Sequence, residues 1–530
     1  MTRTSYWPLA LIGAVAAVLG HVGCTRTYET AEPKPAEAEK APATVIAAPS
    51  PASEKGPRVF AEWSAKPPAA VLLISGEQDG YPDPCGCTDG QLGGLGRRFD
   101  FLEKIQAKGW PVAKVDLGNL ILNPASSRGG IKQETIKLKV ILRALAEMKY
   151  DAVALGPEDL KLGVQEVAGE LLNLKEPRFV AANVKPTAGL EEILRPIVIA
   201  KAGPVTIGVT AVLDKAAFEA LRDPGAAQIF EVKPADDVIP GVLDELGKRA
   251  EVKVLLVQGP PEEAKRLAEK FSGFDLVVGT SENADPDERP QTLDGGKTLL
   301  VNSIGKKGKH VGVVGIFPGS TPRLVYRRQS LDGKNFRQAE PMRKLIDGEY
   351  QEMLRAEGVV ENFPRFANGQ APTGAQYVGA KACQECHPKT FEKWTTTKHA
   401  RGYDALLNPK RNRESDAECI SCHTTGFGYK SGWVSAEKTP YLKGNQCENC
   451  HGPASLHAAE PDKPEYRKPM AMTAESANAN NFCTRCHDED NDHNFKFDAR
   501  YAQIFHKGLD DYADPRVHRS RPVKPGDGGQ

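Results

Sequence analysis

Two unlike architectures in tandem are expected from this chain: an α/β region over residues 58–318, then a mainly helical, loop-rich region over residues 374–510. Three observations carry the expectation. Between Val59 and Phe317, β-branched runs such as VLLIS, EVKVLLV and FDLVVG alternate with amphipathic stretches such as IKLKVILRALAEM and PEEAKRLAEKF, the pattern of strands and helices in α/β folds. Beyond Thr373 apolar runs are scarce, so side chains alone leave that region short of a core. The same stretch carries four Cys-x-x-Cys-His pentapeptides: CQECH, CISCH, CENCH and CTRCH.

In such a motif two thiols two residues apart form thioether bonds to the vinyl groups of one haem, and the adjoining histidine ligates the iron from below. The pairs Cys383 and Cys386, Cys419 and Cys422, Cys447 and Cys450, and Cys483 and Cys486 therefore attach four covalent c-type haems. His387, His423, His451 and His487 are the proximal ligands. Zinc sites or disulfides would also use CxxC pairs, but neither requires a histidine after every pair. Four porphyrins supply the core that this region lacks, with short helices and loops wrapped round them.

The other segments follow in order. Residues 1–24 have a short basic start, an apolar run from Pro8 to Gly20 and small residues before Cys24. That run is too short to span a bilayer comfortably and reads as an export signal, which suits haems attached outside the cytoplasm. Of the 11 cysteines, eight belong to haem motifs, Cys85 and Cys87 form a close pair, and Cys24 stands alone as the lipidation site. The likeness to a bacterial lipoprotein signal is imperfect, since His21 replaces the usual leucine, and a simple cleaved signal is the alternative. Residues 25–57, rich in Ala, Pro, Glu and Lys, read as a disordered tether. Residues 319–373 form a linker with a helix near 342–363, and residues 511–530 a flexible tail. With 69 basic and 69 acidic residues in 530, the charge balance points to no nucleic-acid partner.

The segment running from YVGAKACQECH through WTTTKHARGYDAL and CENCHGPASLH to CTRCHDEDNDHNFKFDARYAQIFH resembles the tetrahaem cytochrome c-554 family, over roughly residues 377–508. The resemblance implies that His399, His457 and His506 are distal ligands and that one haem is five-coordinate. Spacing does not say which iron each histidine serves. The open iron is expected at CISCH, whose following segment TTGFGYKSGWVSAEKTPYLKGNQ contains no histidine, with His493 or His518 as alternative ligands there. His493 and His518 are otherwise read as surface residues, and Met470 and Met472 as gap-fillers against a haem face.

In the α/β region the blocks GGLGRRFDFLEKI, VAKVDLGN, YDAVALGPEDLKLG, VLLVQGP, FDLVVGTSEN and TLLVNSIGKKGKHVGVV, over residues 69–317, resemble the metallophosphoesterase and 5′-nucleotidase family. The fold implied is a nucleotidase-like α/β sandwich, and the chemistry is phosphate-ester hydrolysis by two metal ions that activate a water. The ligands are mostly gone. Glu77-Gln78-Asp79-Gly80 replaces Asp-x-His-Gly, the Asp-x-Gly-Asp block ends in Asn119, and Gly156-Pro157-Glu158-Asp159 replaces Gly-Asn-His-Glu. Gly259, Thr280 and Glu282 stand where histidines belong, and His310 is the only histidine between His21 and His387. Glu77, Asp79, Asp116, Glu158 and Asp159 remain as oxygen ligands for an additional hard cation, or as solvated loop carboxylates.

Cys85-Gly-Cys87 ahead of Gly-Gly-Leu-x-Arg-Arg is similar to a nucleotidase-like branch that includes selenoproteins. A redox dithiol or soft-metal pair is one reading, and a structural or inert pair the other; any disulfide closed over one residue is strained and easily reduced. Arg97 and Arg98 would bind an anion or cover the helix with their stems. The expected function is single-electron transfer between redox partner proteins on the periplasmic side of a bacterial membrane, lipid-anchored through Cys24, beside an α/β region that has lost hydrolysis. A multihaem oxidoreductase acting on a small nitrogen or oxygen compound at the open iron is the alternative, followed by a metal-dependent phosphohydrolase and by a docking role for the α/β region.

Overall fold

The computed structural model describes residues 58–84, 90–281, 283, 289–302, 304–368, 372–408 and 412–510. Cys24 with the export signal, the tether, Cys85 and Cys87, Glu282, His518 and the 511–530 tail lie outside the described residues.

The β-branched runs form two six-stranded mixed sheets. The first has the order Leu324–Ser330, His310–Ile316, Ala70–Ser75, Val112–Asp116, Ala152–Ala154 and Arg178–Val180. Its last four strands are parallel, and His310–Ile316 runs antiparallel to Ala70–Ser75. Leu324–Ser330, in the stretch expected as linker, pairs along His310–Ile316 with Ser330 opposite His310. The second sheet has the order Gln291–Leu293, Thr298–Val301, Leu276–Val278, Val252–Gln258, Val205–Leu213 and Val198–Ala202.

Alternation along the strands sorts side chains between layers. Leu72, Ile74, Ala113 and Val115 meet Ile207, Val209, Val254 and Leu256 in a core between the sheets. Val71 and Leu73, pointing the other way, pack under the helices Leu95–Ala107 and Gly130–Glu147. Leu255, Val257 and Val277 likewise lie under Ala235–Arg249 and Pro261–Lys270. The expected α/β sandwich is thus a helix–sheet–sheet–helix stack, in which each fully buried Val, Leu or Ile contributes about 1.5–3 kcal/mol.

The C-terminal region is built differently. Its helices Pro388–Thr395, Ser455–Ala459, Pro464–Arg467 and Phe497–Ile504 have no buried residue. Helices this short do not hold themselves together in water and depend on packing of their apolar faces. Phe497, Tyr501 and Phe505 form one such face, with ring centroids 5.2 and 6.0 Å apart.

A helical segment from Glu340 to Ala356, with a π turn over Lys344–Tyr350, ties the two regions together. The Gln133 amide donates to the Tyr350 hydroxyl at 3.0 Å and to Asp416 Oδ1 at 2.8 Å, while Gln133 Oε1 accepts from the Ala417 amide at 3.0 Å. An α/β side chain therefore helps to cap the helix Ala417–His423, which carries CISCH. Beside it, buried Lys137 pairs with Glu134 at 2.9 Å and with Glu418 at 2.7 Å. Among the described residues no helix is long and apolar enough to cross a membrane.

Candidate haem centres

Each motif places its first cysteine and its histidine one helical turn apart, so both point to the same side. The His387 amide donates to the Cys383 carbonyl at 2.8 Å, and the His487 amide to that of Cys483 at 2.9 Å. CISCH and CENCH lie on the helices Ala417–His423 and Cys447–His451. The second is opened by a capping box in which the Gln446 amide donates to Asn449 Oδ1 at 2.8 Å. None of the eight motif cysteines forms a disulfide among the described residues. The Cys383 and Cys447 side chains are within hydrogen-bonding reach of each other, as are those of Cys422 and Cys486, and Cys450 lies near Cys483. The motifs therefore run first, third, fourth, second through the region.

The histidines fall into facing pairs from different motifs. His387 and His457 have ring centroids 6.5 Å apart, His399 and His487 6.0 Å, and His451 and His506 5.8 Å. A metal bound at about 2 Å from one nitrogen of each ring needs this separation, and directly hydrogen-bonded rings would stand closer. The donor set thus fits bis-imidazole iron at three positions. No ring stands opposite His423 in this way among the described residues.

Further contacts orient the rings. His423 Nδ1 donates to the Gly402 carbonyl, His451 Nδ1 to that of Met470 at 2.7 Å and His506 Nδ1 to that of Ile504 at 2.8 Å. His487 Nδ1 meets Asp492 Oδ2 at 2.9 Å. Each contact occupies one ring nitrogen and leaves Nε2 for a metal. Burial pushes His399, His451 and His457 below the ordinary imidazole value, towards the neutral form that binds metals. Met470 thus acts through its backbone carbonyl, whereas His493 sits beside Gly90 and Gln91 of the α/β region in a cavity of about 160 Å³.

Three further residues carry this site without being visible as motif. The buried Glu448 carboxylate, between the cysteines of CENCH, accepts from the amides of Val378, Gly379 and Ala454 at 3.1, 2.7 and 2.8 Å. It ties the approach to CQECH onto CENCH. Arg128 and Asp492 are the others. Glu448→Ala is expected to cost about 3 kcal/mol or more, since each orphaned buried N–H costs about 1–3 kcal/mol. Urea unfolding of the holoprotein followed by circular dichroism measures this.

In the α/β region Glu77, Asp79, Asp116 and Asp159 are not the solvated loop groups that the sequence allowed, whereas Glu158 is partly exposed and pairs with Lys161 at 2.6 Å. Asp116 is fully buried, accepts from Ser75 Oγ at 2.5 Å and from the Gly118 amide at 2.8 Å, and lies 3.8 Å from the Arg98 guanidinium. Arg98, itself buried, also donates to Ser75 and Gln78. It therefore neither binds an external anion nor lies along the helix surface; it supplies the positive charge in this pocket. Arg97 donates to the carbonyls of Gln91, Gly93 and Leu331. Asp159 Oδ1 accepts from the amides of Leu120 and Ile121, at 2.6 and 3.1 Å, and Glu77 accepts from the Ser281 amide at 2.7 Å. Asn119 Oδ1 accepts from the Glu158 amide at 3.1 Å, Thr280 donates to the Gly259 carbonyl, and His310 is a core residue bonded to Ser330. Among the described residues no three His, Cys, Asp or Glu side chains gather as a metal cage.

Burial pushes Glu77, Asp79 and Asp159 up to about 7 from ordinary values of 4.5, 3.8 and 3.8. In the unfolded chain they ionise near their ordinary values, so between about pH 4 and 7 the folded state holds more protons. Their contribution to stability is full below that window and declines as pH rises through it. The urea midpoint is expected to fall between pH 5 and 8, and Asp159→Asn to flatten the fall.

Residues 382–452, which contain the first three motifs, match the family model for cytochrome c554 and c-prime. The chain is 30% identical over 136 residues to cytochrome c-554 of Nitrosomonas europaea; the match covers 21% of this chain and 58% of that protein. Solved structures similar to the chain include a sulfate thiohydrolase from Thermus thermophilus, at 16% identity and TM-score 0.43, covering 56% of this chain and 62% of that one. A 5′-nucleotidase precursor from Thermus thermophilus is 15% identical at TM-score 0.45, covering 71% and 73%. A calcineurin-like phosphoesterase from Bacillus subtilis is 18% identical at TM-score 0.42, covering 54% and 98%. The C-terminal region, with its Cys-x-x-Cys-His motifs and facing histidines, is accordingly similar to the cytochrome c-554 family and so to a multihaem cytochrome.

Proposed function

We propose that this protein is a tetrahaem electron carrier that passes single electrons between redox partner proteins. The observation that carries the reading is the set of three facing imidazole pairs at 5.8–6.5 Å, each joining a motif histidine to His399, His457 or His506. Bis-histidine ligation leaves no open position on the iron, which suits outer-sphere transfer. When bound, haem supplies the one-electron couple. The chain's own part is to hold the thioether cysteines, to fix the ring orientations and to bring neighbouring motifs close through the Cys383–Cys447, Cys450–Cys483 and Cys422–Cys486 approaches. Residues 1–24 fit export to the periplasmic side of a membrane, with Cys24 as lipid anchor and residues 25–57 as tether.

The α/β region is proposed to be non-hydrolytic. Arg98 occupies the pocket around Asp116 with an internal cation, and the family's imidazole positions hold Asp79, Glu158, Gly259, Thr280 and Glu282. A second reading, small-molecule redox chemistry at the CISCH iron, is favoured by the absence of a ring opposite His423 among the described residues.

Stopped-flow mixing of the reduced holoprotein with an oxidised soluble cytochrome tests carriage: oxidation of all four haems within the mixing experiment supports it, and haems that stay reduced oppose it. Turnover of nucleotide monophosphates with added Mn²⁺ or Zn²⁺, abolished by Asp116→Ala, would instead show a working hydrolase.

A further inference from the structure

Arg128 belongs to the α/β region yet reaches two haem motifs at once. Its Nη1 lies 3.9 Å from Cys422 Sγ, the second thioether sulfur of CISCH. Its Nη2 donates to Asp488 Oδ2 and to the Arg485 carbonyl, both at 2.6 Å, on either side of His487 in CTRCH. Arg128 is 37% exposed, and its partner Asp488 is 29% exposed. The guanidinium is charged at every accessible pH, and three contacts hold it in place.

We propose that Arg128 is a positioning residue that raises the reduction potential of the haem attached at Cys419 and Cys422 relative to its neighbour at Cys483 and Cys486. The proposal rests on the haem-attachment reading above. Reduction removes one positive charge from an iron, so a fixed cation beside the thioether favours the reduced form. Beside the CTRCH histidine the charges have the opposite sign, whereas the motif's own Arg485 lies over the Phe482 ring. Asp488 adjoins His487 in sequence, and His487 Nδ1 is bonded to Asp492, a carboxylate that makes its ligand more electron-donating and favours the oxidised form. The remaining charges facing CISCH from the α/β region, Lys137 and Glu134, are paired with each other and with Glu418. Arg413, near Cys419, is paired with Asp347 and Asp83, so Arg128 is the cation beside CISCH whose carboxylate partner belongs to the other motif. A clamp that merely joined the two regions would not distinguish one haem from its neighbour; a charge 3.9 Å from Cys422 Sγ, whose effect on nearby Cys486 is opposed by Asp488 beside that motif, does.

Redox titration of the holoprotein in an optical cell, on wild type, Arg128→Gln and Arg128→Lys, decides the matter, with haem content counted first by pyridine haemochrome. Arg128→Gln is expected to lower one of the four one-electron steps, leaving that haem about tenfold less reduced at its wild-type midpoint, which is about 59 mV for one electron. The other three steps should hold, and Arg128→Lys should restore most of the loss. Four haems with no step displaced, or with all four displaced equally, would overturn the proposal. So would loss of a haem from Arg128→Gln, which would make Arg128 a residue of assembly. Fewer than four haems in wild type would refute the attachment reading itself, and the haem count separates that outcome from the others.

Discussion

Electron paramagnetic resonance of the oxidised holoprotein is expected to show one high-spin haem beside three low-spin ones. Nitric oxide or cyanide should bind the high-spin centre alone. The expectation comes from the histidine supply: three motif histidines have a second ring at 5.8–6.5 Å and His423 has none among the described residues. His399→Ala should create a new high-spin centre at the His487 iron, His457→Ala at the His387 iron and His506→Ala at the His451 iron. Each variant should go from one ligand-binding haem to two. Residues outside the description, His518 among them, are covered by the same spectrum: four low-spin irons in the unliganded protein would end both the open site and the oxidoreductase reading.

Asp116→Ala is expected to be the most damaging single change in the α/β region. It leaves the Arg98 guanidinium, 1% exposed, without its carboxylate, and breaking a buried pair from one side costs about 3–5 kcal/mol. Ser75 loses a partner at the same time, and Tyr150, bonded to Ser75 at 2.8 Å, is disturbed with it. The paired change Arg98→Met with Asp116→Leu removes both charges and should recover much of the loss, because apolar side chains of similar volume often replace a buried ion pair without penalty. Urea unfolding of the three proteins measures this. Equal losses in the single and double variants would show that the charge imbalance is not the cause.

The sheets were legible because buried parallel strands need apolar runs, and Ala70–Ser75 and Val252–Gln258 are mostly Val, Leu and Ile. Leu324–Ser330 was not, since its sequence LVYRRQS carries two adjacent arginines, one on each face and both partly exposed, which an edge strand tolerates. The Cys-x-x-Cys-His motifs are legible in the sequence because covalent haem attachment would fix their spacing. Ring pairing was a different matter. Nearness in sequence would join His399 to CQECH, His457 to CENCH and His506 to CTRCH, whereas the rings meet as His399 with His487, His457 with His387 and His506 with His451. Chain reversals decide which rings meet, and no local pattern encodes them. Arg98 and Arg128 were hidden for a similar reason: each is defined by a partner that tertiary structure brings from elsewhere, Asp116 for one and Cys422 with Asp488 for the other.

Four covalent haems are expected to fill the C-terminal region, a number open to direct measurement. A pyridine haemochrome assay on purified protein of known concentration tests it most directly. Four haems per chain, retained through denaturing electrophoresis as haem stain on the polypeptide, is the result expected from Cys383, Cys386, Cys419, Cys422, Cys447, Cys450, Cys483 and Cys486. Clearly fewer than four, or haem that separates from the chain on denaturation, would contradict it.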